Sequence, residues 1–203
     1  MRAIEHFKTI MKHRALVRQG CFRIGLFYQG LMHDLSKYSP AEFIVGAKYY
    51  QGFRSPNNAE REVRGYSLAW MHHKGRNKHH YEYWNDYNSS KGSLIVPVRM
   101  PARYLAEMYV DRVSASKIYN EGHYTNDMPL RYFLRAKDRI PMEEHTKQEL
   151  EKLLAMLATR GEAVTDNYIR KVILRGYPGA VFAETILSIR RRIDNYNDKK
   201  KNA

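Results

Sequence analysis

Nine histidines occur in the chain. A subset of them, with two aspartates, forms an ordered series over the first 111 residues: His13, His33-Asp34, His72-His73, His79-His80 and Asp111. Neutral imidazole and carboxylate are the ligands that suit Fe, Mn, Ni, Co or Zn, and a carboxylate can bridge two ions. Cys21 is the only cysteine, which excludes a thiolate-rich zinc site, a CxxC redox pair and an intrachain disulfide. The chemistry open to the series is that of one or two divalent transition metals held by imidazole and carboxylate.

Such ligands need elements that aim them at one point. Leu, Ile, Met and aromatic residues recur at spacings of three and four almost throughout, with β-branched alternation confined to residues 93–98, so an all-α fold is expected. The expected helices cover 2–18, 21–35, 40–51, 59–74, 78–88, 101–120, 129–139, 143–160, 165–175 and 179–196. On the first, His13 shares a face with Ile10 and Val17. On the second, Leu26, Gly30, His33 and Lys37 share a face, with Asp34 beside it. On the fourth, Tyr66, Trp70 and His73 align, which selects His73 over His72 as the inward residue. On the helix after Pro101, Asp111 lies mid-stripe between Met108 and Ala115.

A charged group on an apolar face is costly unless it is paired or bound to a metal. Four helices that each aim ligand-type side chains inward therefore predict one shared site. Taken singly, an inward histidine is more often a hydrogen-bonded core residue, and Asp111 alone could pair with Arg112 or Arg103. The joint pattern, not any one member, points to metal.

His73 and His80 pose a geometric problem, because seven residues of straight helix would separate them by about 10 Å along the axis. A helix end at Gly75, with Asn77 capping the next helix, would fold them toward each other. Ser39-Pro40-Ala41-Glu42 has the form of a capping box with Pro at the first helical position. Gly161 and Gly176 stand where helical periodicity lapses, as C′ glycines do.

His33-Asp34-Leu35-Ser36-Lys37 resembles the HDxxK element of the HD superfamily, particularly its HD-GYP branch, whose fuller pattern is H, HDxxK, H, HH, D. The resemblance implies a first metal on His13, His33, Asp34 and Asp111, and a second on Asp34, His73, His79 and His80. It also implies that Lys37 touches a substrate phosphate and that the activity is divalent-metal-dependent phosphohydrolysis. Tyr81-Glu82-Tyr83-Trp84 stands where GYP would follow, so cyclic dinucleotide specificity is not implied. Three blocks, HDLSKYSPAEF at 33–43, HHKGRNKHHYEYW at 72–84 and MPARYLAEMYVD at 100–111, resemble more closely a family of small bacterial and phage proteins labelled as a domain of unknown function.

The expected architecture is a single HD-domain-like helical bundle with extra C-terminal helices: a metal-binding core over 1–125, helical support over 126–203 in the same domain, and a basic tail at 190–203. Leu150, Leu153, Leu154 and Leu157 form an amphipathic stripe suited to packing support or a homodimer face. His123 and His145 are expected at the surface. Arg76 and Arg103 join Lys37 as candidate phosphate-binding residues, and Glu107, one turn before Asp111, as a carboxylate supporting a metal-bound His or Lys37.

Composition bounds the partners. The balance of 35 Lys and Arg against 21 Asp and Glu gives +14, which concentrates anions such as nucleotides or nucleic acid phosphates. A phosphate-containing small molecule or nucleotide is the expected ligand. Two other classes stay open: an HD-type di-iron oxygenase using the same ligands, and a nucleic-acid-binding module with a structural metal, in which Tyr49, Tyr50 and residues 81–84 stack on bases. No apolar run approaches the roughly 20 residues of a membrane span, and residues 1–12 lack the apolar stretch of a secretory signal. The expectation is a cytoplasmic protein with no membrane partner.

Overall fold

The computed structural model of the protein describes residues 2–89 and 94–201. The fold is mainly α, helical over 72% of its length. The helices are α1 (Ala3–Arg23), α2 (Phe27–Met32), α3 (Pro40–Tyr49), α4 (Pro56–Arg64), α5 (Leu68–Lys74), α6 (Ala102–Tyr119), α7 (Met128–Leu134), α8 (Glu144–Tyr168) and α9 (Pro178–Lys201). A small antiparallel ribbon, β1 (Asn85–Tyr87) with β2 (Ile95–Pro97), pairs Asp86 with Val96. Its second strand falls in the 93–98 stretch where β-branched residues alternate, of which Ser93 lies outside the described residues, while its first occupies the end of the segment expected as a helix over 78–88.

α1 organises the interior. Its buried residues are His6, Ile10, His13, Val17, Gly20 and Cys21, a stripe of three- and four-residue steps along one face. Val17 and Cys21 enter the core with Leu105, Tyr109, Val110 and Val113 of α6 and with Leu150, Leu153, Leu154 and Leu157 of α8. The α8 leucines are fully buried within the chain, so they serve as packing support and not as a face for a second copy. Gly20 allows close approach, since a Cβ there would lie 2.5 Å from Val110 Cγ1 on α6.

Several element boundaries differ from expectation, each for a local reason. The 59–74 helix is two helices, because Gly65 at φ 80° ends α4 and Ser67 restarts the chain by accepting a hydrogen bond from the Trp70 amide at 3.0 Å. The 21–35 helix is also broken: α1 continues to Arg23, the chain turns at Gly25 (φ 83°), and α2 ends at Met32. His33, Asp34 and Lys37 therefore do not share a helical face with Leu26 and Gly30.

No helix forms over 78–88. A 3₁₀ turn at Tyr81–Trp84 leads directly into β1, so Asn77 has no following α-helix to cap. α3 starts at Pro40 as expected, but Ser39 makes no side-chain cap bond. Glu42 completes no capping box because its carboxylate is bound elsewhere. Gly161 does interrupt the helix, at φ 78° and ψ 173°, yet helical structure resumes beyond it to Tyr168. The basic segment from 190 is the end of α9, helical as far as Lys201; residues 202 and 203 lie outside the described residues.

Candidate metal centre

The centre begins at an unusual piece of backbone. Asp34 has φ 55° and ψ 25°, the only non-glycine positive φ among the described residues. The left-handed region is costly for most side chains, though Asp and Asn tolerate it better. Arg14 holds the turn by donating from Nε to the His33 carbonyl at 2.8 Å and from Nη2 to the Leu31 carbonyl at 3.0 Å. The chain thus reverses immediately after α2, and consecutive side chains of His33 and Asp34 enter the same buried space.

Asp34 is the hub. Its Oδ2 lies 3.3 Å from His33 Nε2, 3.6 Å from His13 Nε2 and 2.6 Å from Lys37 Nζ. Its Oδ1 lies 3.2 Å from His73 Nε2 and 3.3 Å from His79 Nε2. Asp111 Oδ1, from α6, is 2.9 Å from His13 Nε2 and 3.5 Å from His33 Nε2. Two four-residue groups result, each with its ligand-type atoms within 4.8 Å of one another: His13, His33, Asp34 and Asp111, and Asp34, His73, His79 and His80. The two carboxylate oxygens of Asp34 face one group each.

The turn between the histidine pairs closes the second group. α5 ends at Lys74 and the chain bends at Gly75. Asn77 Nδ2 donates back to the His73 carbonyl at 2.8 Å and to Ser36 Oγ at 2.8 Å. The His73 and His80 rings come to 4.8 Å, with Trp70 packed 4.6 Å from His80. The helix end at Gly75 is therefore as expected, while Asn77 works as a tie on the preceding helix.

Two carboxylates orient the imidazoles from behind. Glu107 Oε1 is 3.0 Å from His33 Nδ1 and 3.1 Å from His79 Nδ1. Glu42 Oε2 is 2.7 Å from His73 Nδ1, and its Oε1 is 2.6 Å from His72 Nδ1. A carboxylate accepting from Nδ1 fixes the ring and turns Nε2 toward the site. His72 is thereby a partner of Glu42, and His73 is the ring that faces Asp34.

Electrostatics separates the members. Burial opposes charge on His33, but Asp34, followed by Asp111 and Glu107, holds its pKa well above the usual value. Burial likewise opposes ionisation of Asp34, yet His33, Lys37 and His73 keep its carboxyl well below the usual range. His80 goes the other way, pushed well down by burial and then by His79 and His73. It is a neutral imidazole, the protonation state in which histidine ligates.

Asp34 Oδ1, His79 Nε2 and His80 Nε2 are buried and make no hydrogen bond. Buried polar atoms are nearly always satisfied, and orphaned nitrogen and oxygen donors aimed at one point match the coordination chemistry of a divalent ion. The residues fit such a cofactor.

A cavity of about 1030 Å³ opens over this centre, with His13, Asp34, Lys37, His73, His80 and Asp111 in its wall. Arg76 and Arg103 are not in that wall. Both are exposed: Arg76 donates to the His72 carbonyl at 3.3 Å, and Arg103 lies over the Tyr104 ring. Arg76, in the turn after α5, and Arg103, on α6, thus face solvent outside the cavity. Arg61 and Arg112 line the cavity instead. His123 and His145 are exposed, as expected.

Sequence reasoning missed Glu42 and Arg14. Glu42 carried one usable signal, a carboxylate in the otherwise apolar run Phe43-Ile44-Val45 that follows Pro40.

Fold and site together define a helical protein with a buried histidine and carboxylate cradle. The chain belongs to DUF5662, described as a family of unknown function, whose profile matches residues 2–156. That span includes every residue of both four-residue groups. No curated protein and no solved structure matches the chain.

Proposed function

We propose that the protein is a divalent-metal-dependent phosphohydrolase of HD type, acting on a phosphomonoester or phosphodiester of nucleotide kind. One observation carries this: Asp34 is shared by two ligand groups in the wall of a large cavity that also holds Lys37, Arg61 and Arg112. The order His13, His33-Asp34, Lys37, His73, His79-His80, Asp111 resembles the HD pattern residue by residue. Ions in the two groups would supply an acidified water and a clamp for phosphoryl oxygens.

The protein's own groups have defined tasks. Lys37 stands at the cavity wall with Nζ 2.6 Å from Asp34. Burial opposes its charge, but Asp34 and then Asp111 raise its pKa, so it remains a cation able to offset charge that develops on a phosphate. Glu42 and Glu107 hold the rings in register. The remaining cations of the wall favour an anionic ester as ligand.

Two rival classes are less well supported. A di-iron oxygenase would use the same ligands, but dioxygen chemistry gives no reason for a cationic wall. A nucleic-acid module needs free aromatic faces, whereas Tyr81 and Trp84 pack against the core and Trp84 Nε1 donates to the Lys78 carbonyl at 2.8 Å.

Elemental analysis of the purified protein, followed by phosphatase and phosphodiesterase panels with Mn, Ni, Co and Fe, tests the proposal. We expect one to two equivalents of metal and hydrolysis that His33→Ala and Asp34→Ala abolish. A metal-free protein indifferent to both substitutions would end it. Oxygen uptake with iron would transfer the site to oxygenase chemistry.

A further inference from the structure

α9 is anchored at one end only. Its start packs against the turn after α1, where a Cβ on Gly25 would lie 2.4 Å from the Gly179 carbonyl oxygen, and Glu184 pairs with Arg170. Ala180, Ala183 and Leu187, three and four residues apart, form the side that meets the body; the alanines are buried and the leucine half-buried. Every described side chain from Ser188 to Asp198 is exposed. The helix has 24 residues, and the part beyond Leu187 extends about 20 Å clear of the core at about 1.5 Å per residue.

The helix carries a second apolar face. Phe182, Ile186, Ile189 and Ile193 are 58, 49, 49 and 54% exposed, and their spacing of four, three and four is that of d, a, d and a positions in a heptad. This stripe lies about a third of a turn around the helix from the alanines that face the body. It continues beyond the helix: Phe182 meets Phe27 of α2 at 5.9 Å between ring centroids, and Phe27 meets Phe22 of α1 at 5.3 Å. About 14 residues of helix standing in water are too few to persist on local propensity, and β-branched isoleucines lower that propensity further.

Width and charge identify what covers the stripe. Its apolar residues are bordered at once by Thr185, Arg190, Arg192 and Asn197, which makes a narrow seam of the kind that pairs helices rather than the broad face of a helix lying in a lipid surface. Asp194 and Asp198, on the same stretch, oppose an anionic lipid layer. An identical helix fits in either direction. In a parallel pair with the apolar residues level, Arg190 meets Thr185 of the second copy and Arg192 meets its Asn197. In an antiparallel pair that sets Phe182 against Ile193 and Ile186 against Ile189, Arg192 meets Thr185 and Arg190 meets Ala183. Like charges face each other in neither arrangement. The continuation onto Phe27 and Phe22 widens the face toward the roughly 800 Å² per partner that a stable interface buries.

We propose that α9 is a self-association helix, and that its seam of Phe182, Ile186, Ile189 and Ile193 is covered by the same seam of a second copy of this chain in a two-fold dimer. A two-fold contact requires a patch complementary to itself, which this stripe is. The dimer does not depend on the chemistry of the candidate metal centre.

Sedimentation velocity and light scattering on the full chain test this. The wild type should show a mass of twice 24.0 kDa that dissociates in one step on dilution. Ile186→Asp and Ile189→Asp place a charge in the seam and should raise the dimer dissociation constant at least about tenfold. Both positions are exposed in the single chain, so the near-ultraviolet circular dichroism of the body should stay that of the wild type. Ile189→Gln, which adds no charge, should weaken the dimer several-fold and answers for an aspartate variant that fails to fold. Ser188→Asp, an equal charge off the seam, should leave the dimer intact.

A single-chain mass at every concentration would overturn the dimer, as would an assembly that Ile186→Asp and Ile189→Asp leave unchanged or that Ser188→Asp weakens equally. A monomer that co-sediments with phosphatidylserine vesicles, and loses them in Ile189→Asp, would overturn it too and give the seam to lipid.

Discussion

Asp34 combines two demands on one residue: a backbone in the left-handed region and a carboxylate with one oxygen for each ligand group. Asn tolerates the same backbone but carries no charge. Asp34→Asn is therefore expected to fold with a circular dichroism spectrum like the wild type, and to lose at least nine-tenths of its bound metal by elemental analysis. Glu42→Gln should be milder. It weakens the orientation of His73 and should reduce metal affinity by roughly 10–100-fold, read by competition with a chromogenic chelator.

Residue type and order singled out the side chains that the fold gathers into two groups able to hold a metal, because few chemistries need imidazole and carboxylate in series along helices. Glu42 was not legible in this way, since a Glu three residues after Ser at a helix start has an ordinary capping explanation. Arg14 gave no signal either, because its acceptors are backbone carbonyls, which every residue has.

Among the elements, the candidate ligands come from α1, the turn after α2, α5 with the turn behind it, and α6. α1 approaches α6 closely at Gly20, about two helical turns from His13, and this contact is expected to govern how near His13 lies to Asp111. Val110 is β-branched and has little rotamer freedom in a helix, so it cannot move aside. Gly20→Val should destabilise by about 3 kcal/mol through overpacking. Calorimetry should show Tm lower by about 6–12 °C, with metal affinity falling at the same time. A variant with unchanged Tm would show that this contact does not set the spacing.

Most helices were legible from periodicity, but the one expected over 78–88 does not form, and helix ends were less legible. α2 and α5 have six and seven residues, too short to persist on local propensity. They end where tertiary partners end them, as Arg14 does for α2. The apparent helical face of Leu26, Gly30, His33 and Lys37 pointed to residues that do cluster, but for a mistaken reason: a tight turn, not a shared stripe, brings His33 and Asp34 together with the other histidines.

Over the whole molecule, the core and the cradle are two ends of the same helices. Cys21 lies in that core with no exposure, and burial, followed by Glu107 and Asp111, raises its thiol pKa well above the usual value. The thiol should be inert to a disulfide reagent in the native state and react only through unfolding. Metal that binds the native state alone, at a hundred times its dissociation constant, stabilises by about 2.7 kcal/mol. Labelling of Cys21 should then slow about a hundredfold, and chelation should reverse this. Rapid labelling of the native protein would contradict the buried position.

α6 presents Glu107 and Asp111 to the cradle, while its Tyr109, Val110 and Val113 lie in the hydrophobic core that also takes in Val17 and Cys21 of α1 and the leucines of α8. It acts as a beam loaded from both sides. Were the cradle to hold an ion, linkage would make the loading reciprocal: whatever tightened the core against the beam would tighten the grip on the ion, and the ion would stiffen the packing beneath. Selection for heat tolerance, acting only on leucines remote from any ligand, would be expected to enrich variants that also retain metal longer.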